Sequence, residues 1–561
     1  MNLSPESLKG YQRTWLRGDI VAGVTLAAVA IPETMGYATI AQMPVVTGLY
    51  TVIFPTLVFA LLGASKLLVV GADSATAALM AAGLTGLAVT GLTPFSSEWV
   101  AWAGLVALVT GALLVLARLL RLGFIGDFLS ASVLIGFLTG VGVQVLTGQI
   151  PGMLGVTKGT GTWLQQQWAW IQEVPDADWY TIGFSVLTLA CIYGFKKWLP
   201  KIPGALVAIV LSISISSAID AKSKGVAVIG AVQGGFPPLG LPSGITWSDA
   251  AQVIPLALSC VVLIIAQSAA TSRSFAMKHA DKVDVNRDIV GLSGANLAAG
   301  LSGTFVVNGS PTKTQILDED HGRTQLANIT MSAIVLLFVL FFTSVLQDMP
   351  SAVLAAIVFT IGVSLIDALG LKVVYRERYS EFVVAILTAV IVCAIGVEQG
   401  IIVAIIMSVI DLVRRQYSPD RFVVGVERDG QRGYEKPTPG TQSAPGLLVF
   451  RYDADLFYAN ANRMSDDVQQ LMAGAPDPVR WLVLDCSVIS DADYSAGVAL
   501  NGLVDYVHGH DAVFSLAGAD DSLVETFKAY GLFQRLHPSH VYGSVQDAIA
   551  AFEASQSQPT T

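Results

Sequence analysis

From about residue 19 to about residue 415, apolar runs of roughly 20 residues follow one another, separated by short polar or basic breaks. Each run of that length can cross a bilayer. The runs begin near Asp19, Gly48, Ser74, Trp99, Phe124, Trp179, Pro203, Ala251, Arg287, Thr312, Gln325, Ser351, Glu381 and Glu398, which predicts about 14 segments. Two of them, near Ser74 and Thr312, are too short to cross alone. Lys9, Arg13 and Arg17 precede the first run and place the N-terminus in the cytoplasm by the positive-inside rule. The clusters Arg118/Arg121, Lys196/Lys197/Lys201, Arg273/Lys278/Lys282, Lys372/Arg376/Arg378 and Arg414/Arg415 fall on the same side by this count. The acidic loop from Gly152 to Asp178, with Glu173, Asp176 and Asp178, falls on the other. An even count returns the C-terminus to the cytoplasm. The first run is too long for a signal-peptide core and ends in no A-x-A site, so it is expected to stay as a helix.

Beyond residue 417 the pattern changes. Residues 418–445, including RDGQRGYEKPTPGTQS, read as a polar linker. GLLVFRYD, WLVLDCSVI and DAVFSLAGA then read as strands, alternating with the helical patterns SDDVQQLMAG, SAGVALNGLVDYVHG and DSLVETFKAYGL. That alternation predicts a small sheet with helices packed on it. The expected organisation is a cytoplasmic segment 1–18, a membrane domain 19–417, the linker, a small α/β domain 446–555 and a tail 556–561.

Composition agrees with a polytopic membrane protein of the cell (inner or plasma) membrane: 53% of the 561 residues are hydrophobic and 13% charged. Small residues, including 53 glycines, suit close helix packing in lipid. A net charge of −10 with no basic stripe argues against nucleic-acid binding. The cysteines Cys191, Cys260, Cys393 and Cys486 are scattered, and His508/His510 and His537/His540 form no metal motif, so neither a disulfide framework nor a zinc site is indicated. No nucleophile–base set, no phosphate-cradling loop and no cofactor motif marks an enzyme.

Candidate chemistry lies inside the apolar runs. DIVAGVTLAAVAIPETMGYATIAQ carries Pro32 and Glu33 near its middle, and a carboxylate at that depth is costly enough to face a protein interior or a water-filled cavity. Two further stretches look alike: LLVVGADSATAALM (67–80) and TFVVNGSPTKTQIL (304–317). Each has a β-branched extended run, glycine with small polar residues, and a helix start. They occupy the third and tenth positions, matching places in two seven-segment halves, as broken helices do at a transporter's repeat interface. Half-helix tips present unpaired N–H groups and the positive end of a dipole, so two tips aimed at one spot favour an anion. Lys313 lies in the first turn of the second half-helix, and a bound anion, Asp73 or Glu33 could be its partner. Asp73 could equally be the cap of the first half-helix.

These segments resemble the SulP family of sulfate-permease-type anion transporters, the group that also contains prestin. The resemblance covers nearly the whole chain: RGDIVAGVTLAAVAIPETMGYA, GLY at 48–50, GADSAT, SRSFAMKHADKVDVNRDIVGLSGANLAAG, SPTKTQ followed by HGRTQLA, and a C-terminal STAS domain in PGLLVFRYDADLFYANA and LDCSVISDADYSAG. It implies two inverted seven-helix repeats divided into core and gate domains, elevator-like transport of anions by exchange or symport, and a homodimer. Three positions depart from the family pattern. Thr312-Lys313 stands where the family often has serine–arginine, which keeps the charge and loses a planar fork. Glu33 stands where many members have glutamine, and Gln267 where many have an acid. One carboxylate is retained across the two positions, and Glu33 is the expected coupling group for H⁺ or Na⁺. By the same resemblance, substrate contacts are expected from Glu33, Thr34, Tyr37, Asp73, Ser74, Ala75, Gln267, Ser268, Ser310, Thr312, Lys313 and Thr314. Ser495 matches a region phosphorylated in stand-alone STAS proteins, but reads better as a helix N-cap.

The function expected is secondary active transport of a small anion, of the sulfate, bicarbonate, chloride/nitrate or dicarboxylate class. The rival on the same architecture is a nucleobase–cation symporter, against which Lys313 and the STAS-like tail argue. From another class, the chain could be an uncoupled anion channel or a prestin-like anion-binding protein, against which Glu33 argues.

Overall fold

The computed structural model describes residues 11–87, 92–121, 130–157, 159, 162–199, 202–232, 234–425 and 433–556. Lys9, Lys201 and the run expected to begin near Phe124 lie at least partly outside them. The chain divides into two compact units, Met1–Ser408 and Val409–Thr561.

The first unit is helical. Its first series is α1 (Leu16–Ile40), α2 (Val45–Tyr50), α3 (Phe54–Leu62), a two-residue strand β1 (Val70–Gly71), α4 (Ser74–Gly86), α5 (Ser97–Leu119), α6 (Ala131–Leu154), α7 (Trp163–Glu173), α8 (Trp179–Trp198) and α9 (Gly204–Ile219). The second series is α10 (Trp247–Lys278), α11 (Val285–Leu301), β2 (Asn308–Gly309), α12 (Pro311–Glu319), α13 (Leu326–Phe341), α14 (Ser351–Leu365), α15 (Ala368–Glu377), α16 (Tyr379–Ala394) and α17 (Val397–Tyr417). Among the described residues, six helical stretches are long and apolar enough to cross a membrane, and three shorter helices are apolar.

Packing groups these helices. α11 lies along α5 and α3, and α1 along α13; α14 and α16 both lie along α6, and α8 along α9. Two glycines show how close the approach is. A Cβ on Gly291 of α11 would stand 2.8 Å from the Cα of Gly63 beyond α3, and one on Gly136 of α6 would stand 2.2 Å from the Ala385 carbonyl of α16. Backbone meets backbone at both places, as small residues permit in membrane helices.

The run from Gly48 is divided into α2 and α3, with Pro55 opening the second, and the stretch Val45–Leu62 that they form is long and apolar enough to cross a membrane. The break frees Thr51, which donates to the Gly48 carbonyl (2.5 Å) and accepts from the Ala72 amide (3.2 Å). The acidic loop 152–178 contains helix α7, started by a capping box of Thr162 and Gln165. The basic stretch 372–378 is largely helical within α15, whose cap is Asp367.

The second unit is α/β: β3 (Arg421–Val424), β4 (Tyr434–Glu435), β5 (Leu447–Tyr452), α18 (Ala461–Ala473), β6 (Trp481–Asp485), α19 (Tyr494–His508), β7 (Val513–Ala517), α20 (Asp521–Ala529), β8 (Val541–Tyr542) and α21 (Val545–Gln556). The strands run β4-β3-β5-β6-β7-β8, with β5 to β8 parallel and β3 antiparallel to β4 and β5. Within the stretch expected as a linker, 418–445, residues 421–424 and 434–435 are strands of this sheet, and Val423 and Val424 bury against its two faces. Ser495 is not the cap of α19. Asp493 is, accepting from the Ala496 amide at 2.8 Å, and Ser495 is exposed in the first turn.

Candidate functional site

Each of the two β-branched runs, 69–70 and 306–307, leads into a glycine-containing pair of residues, and these form the two strands β1 and β2. Val70 faces Gly309 and Gly71 faces Asn308 in an antiparallel ladder. The Ser310 amide adds a bond to the Val69 carbonyl (2.9 Å). Short backbone of this kind needs every polar group met. Asn296 of α11 accepts from the Val307 amide (3.0 Å) and donates to its carbonyl (3.1 Å). Asn328 and Gln325 donate to the Leu68 carbonyl (3.2 and 2.8 Å), and the Thr56 hydroxyl to the Val70 carbonyl (2.5 Å).

A half-helix leaves each end of this ladder. α4 starts at Asp73, whose Oδ1 accepts from the Ala75 amide at 3.1 Å. α12 starts at Ser310, whose hydroxyl accepts from the Lys313 amide at 3.4 Å, with Pro311 fixing the first helical φ. The two tips are thus bonded together and differ in charge.

Lys313 is completely buried. Its Nζ donates to the Ala72 carbonyl (2.8 Å), lies 3.3 Å from Glu33 Oε2 and stands 4.7 Å from the centre of the Tyr37 ring. Glu33 and Tyr37 reach it from α1, which stays helical through Pro32. Glu33 Oε2 has no hydrogen-bond partner, only this ion pair, while its side chain keeps 13% exposure. Pro311 and Thr312 are exposed as well, so the second tip meets an accessible surface.

On the other side Gln267 Nε2 donates to Asp73 Oδ2 at 3.4 Å. Asn308 Nδ2 donates to Gln267 Oε1 (2.8 Å), and Asn308 Oδ1 accepts from Ser268 Oγ (2.8 Å). Of the three partners open to Lys313, the structure selects Glu33 among the side chains and makes Asp73 a cap.

The structure gathers Glu33, Tyr37, Asp73, Ser74, Ala75, Gln267, Ser268, Ser310, Thr312 and Lys313 around the paired tips. Thr34 and Thr314 are buried: Thr34 donates to the Ala30 carbonyl of its own helix (2.7 Å), and Thr314 donates to the Ser310 carbonyl (2.7 Å) and accepts from the Val69 amide of the other broken segment (3.1 Å). Ser495 belongs to the second unit. A cavity of about 1050 Å³, lined among others by Thr39, Thr47, Val100, Gly104, Gly300 and Leu354, contains none of these residues. The sequence reading missed Asn308, Asn296, Gln325, Asn328, Thr51 and Thr56. Their signal was an uncharged amide or hydroxyl in or beside an apolar run, a weaker cue than the charge that singled out Glu33. Two fully or nearly buried carboxylates were missed as well. Asp19 accepts from the Arg323 and Thr324 amides (2.7 and 3.2 Å), and Asp288 from the Ala64 and Ser65 amides (2.9 and 2.8 Å).

Comparison with known proteins points the same way. The family profile described as the sulfate permease family matches residues 16–388, and that of the STAS domain matches 438–548. A probable sulfate transporter of Mycobacterium tuberculosis is 30% identical over 97% of this chain and 96% of its own length. Sulfate transporter 1.2 of Arabidopsis thaliana is 25% identical over 97% of this chain and 86% of its own. Among solved structures, the murine Solute Carrier 26 family member A9 anion transporter in the inward-facing state superposes with a TM-score of 0.87 at 21% identity, covering 98% of this chain and 94% of that one. The transmembrane domain of the cyanobacterium bicarbonate transporter BicA gives a TM-score of 0.61 at 23% identity, covering 70% of this chain and 98% of that one.

Proposed function

The chain belongs to the sulfate permease family, and from that premise we propose that it is a secondary active transporter of small anions whose pocket lies between the tips of α4 and α12. The observation that carries the reading is the completely buried ammonium of Lys313 at the second tip. A buried cation is costly unless negative charge meets it. Each helix tip adds about half a positive charge. With Glu33 ionised, Lys313 and the two tips are balanced by Glu33 and Asp73. With Glu33 neutralised by H⁺ or Na⁺, about one positive charge is uncovered, which is what an incoming anion meets. Glu33 is therefore the coupling group, and anion and cation bind together.

Transport is elevator-like: the helices bearing the tips move as a body past the bundle of α6, α8, α9, α14 and α16. The close backbone contacts within each group support that division. The protein is a homodimer of 14-segment chains in the cell membrane with both ends cytoplasmic. Sulfate is the first anion to try, because relatives along nearly the full chain carry that name; bicarbonate, chloride, nitrate and dicarboxylates complete the panel.

Radiolabelled anions offered to proteoliposomes under imposed pH and Na⁺ gradients test the reading. Uptake of at least one anion above its equilibrium level, driven by one of the gradients, is expected. Uptake of a nucleobase instead, or large uncoupled anion currents in electrical recording, overturns it.

A further inference from the structure

We infer that Asn308 is a positioning residue for transport. It sets the direction of a hydrogen-bond relay that holds the Gln267 amide on Asp73 and so leaves Lys313 for the anion. This rests on the reading of the tips as the anion site.

Asn308 is uncharged, fully buried and part of β2. Its Oδ1 accepts from the Gly309 backbone amide at 2.7 Å as well as from Ser268 Oγ. A backbone N–H can only donate, so the atom it meets must be the oxygen, and the orientation of this amide is determined. Nδ2 then faces Gln267 and must meet its Oε1, 2.8 Å away. That in turn directs Gln267 Nε2 to Asp73 Oδ2, the longest link at 3.4 Å. Each step has one possible direction, and the whole relay follows from one main-chain N–H.

The consequence concerns charge. Asp73 is met by main-chain N–H at its own helix tip, from Ala75, and by the Gln267 amide. Lys313 makes its ion pair with Glu33 instead. A buried network is stabilising when every member is satisfied and costly when one is not. If the Gln267 donor is withdrawn, the carboxylate of Asp73 keeps only the main-chain N–H groups of its own helix tip and competes for Lys313, and the anion loses that cation.

Asn308→Asp makes the test. The new aspartate still accepts from Gly309 and Ser268 but cannot donate to Gln267. The Gln267 amide then turns its Nε2 to the new aspartate and its oxygen to Asp73. In proteoliposomes, KM for radiolabelled sulfate should rise about tenfold, the scale of one hydrogen bond to a charged group, with kcat changed less. The swap Asp73→Asn/Asn308→Asp keeps the charge count and reverses every link. The new asparagine caps α4 with its oxygen and donates to Gln267 Oε1, and Gln267 donates to the new aspartate. KM in the swap should return to within about threefold of wild type, whereas two merely structural lesions would add. Wild-type KM in Asn308→Asp, or a swap no better than the single variant, overturns the inference. Should the single variant fail to reach the membrane, the swap alone decides, and its failure to transport counts against the relay. If wild type takes up no sulfate, the anion it takes up best from the panel replaces it. If wild type takes up none, the anion-site reading itself falls.

Discussion

At the tip of α4 the cap is a carboxylate; at the tip of α12 it is a hydroxyl, with a proline behind it and a lysine in the first turn. The backbone around the two is nearly the same: an extended run, a glycine, a two-residue ladder and a helix start. Their surroundings differ. From Ser74 to Ala81 every residue of α4 is buried, and the charge of Asp73 is met by main-chain and amide N–H groups. α12 exposes Pro311, Thr312 and Gln315, and its lysine pairs with a carboxylate oxygen, Glu33 Oε2, that has no hydrogen-bond partner. One tip is completed by a neutral amide from α10, and the other by charge from α1. A repeated scaffold can therefore carry two chemistries, a fixed wall and an adjustable one, with the adjustable one facing the open side.

The contrast makes graded predictions. Lys313→Ala should do the most damage. It strands Glu33 in a buried setting and should destabilise the membrane unit by about 3–5 kcal/mol. Thermal melting should show most of that loss recovered in Lys313→Ala/Glu33→Gln. Concentrative anion uptake should be absent in both, and retained affinity in either would make the tips equivalent after all. Glu33→Gln alone should remove the dependence of uptake on the pH or Na⁺ gradient while leaving the protein folded; unchanged gradient dependence in reconstituted vesicles would end the coupling role. Gly309→Ala touches the ladder itself. A Cβ there would stand 2.8 Å from Ser268 Oγ and 2.9 Å from a Leu68 methyl, so a loss of about 1–3 kcal/mol in melting is expected. Ser310→Ala should do least, about 1 kcal/mol or less, since its cap bond is already 3.4 Å long. If Ser310→Ala rivals Lys313→Ala in uptake assays, the second tip works by its cap and not by its lysine.

Much of this was legible in the chain because membrane helices announce polar exceptions. Glu33, Asp73 and Lys313 stand out against apolar neighbours, and the two broken runs share a visible pattern. What could not be read was pairing. Sequence left three partners open for Lys313, and only the approach of α1 to α12 selects Glu33. Asn308 and Asn296 escaped because an asparagine in a glycine-rich stretch looks like any turn former; their work is to satisfy main-chain groups that only the folded ladder exposes. The split of α2 from α3 was hidden for a similar reason: at the break Thr51 accepts from the amide of Ala72, twenty-one positions away. In the second unit, β3 is four residues long and its partner β4 two, too short to give a pattern.

The ladder between β1 and β2 carries one more implication. Main-chain bonds tie tip to tip, so neither can advance while its twin waits. On the proposed reading, a passenger lodged between them would ride in a cradle of constant shape, and its release on either side would come from doors built elsewhere in the molecule.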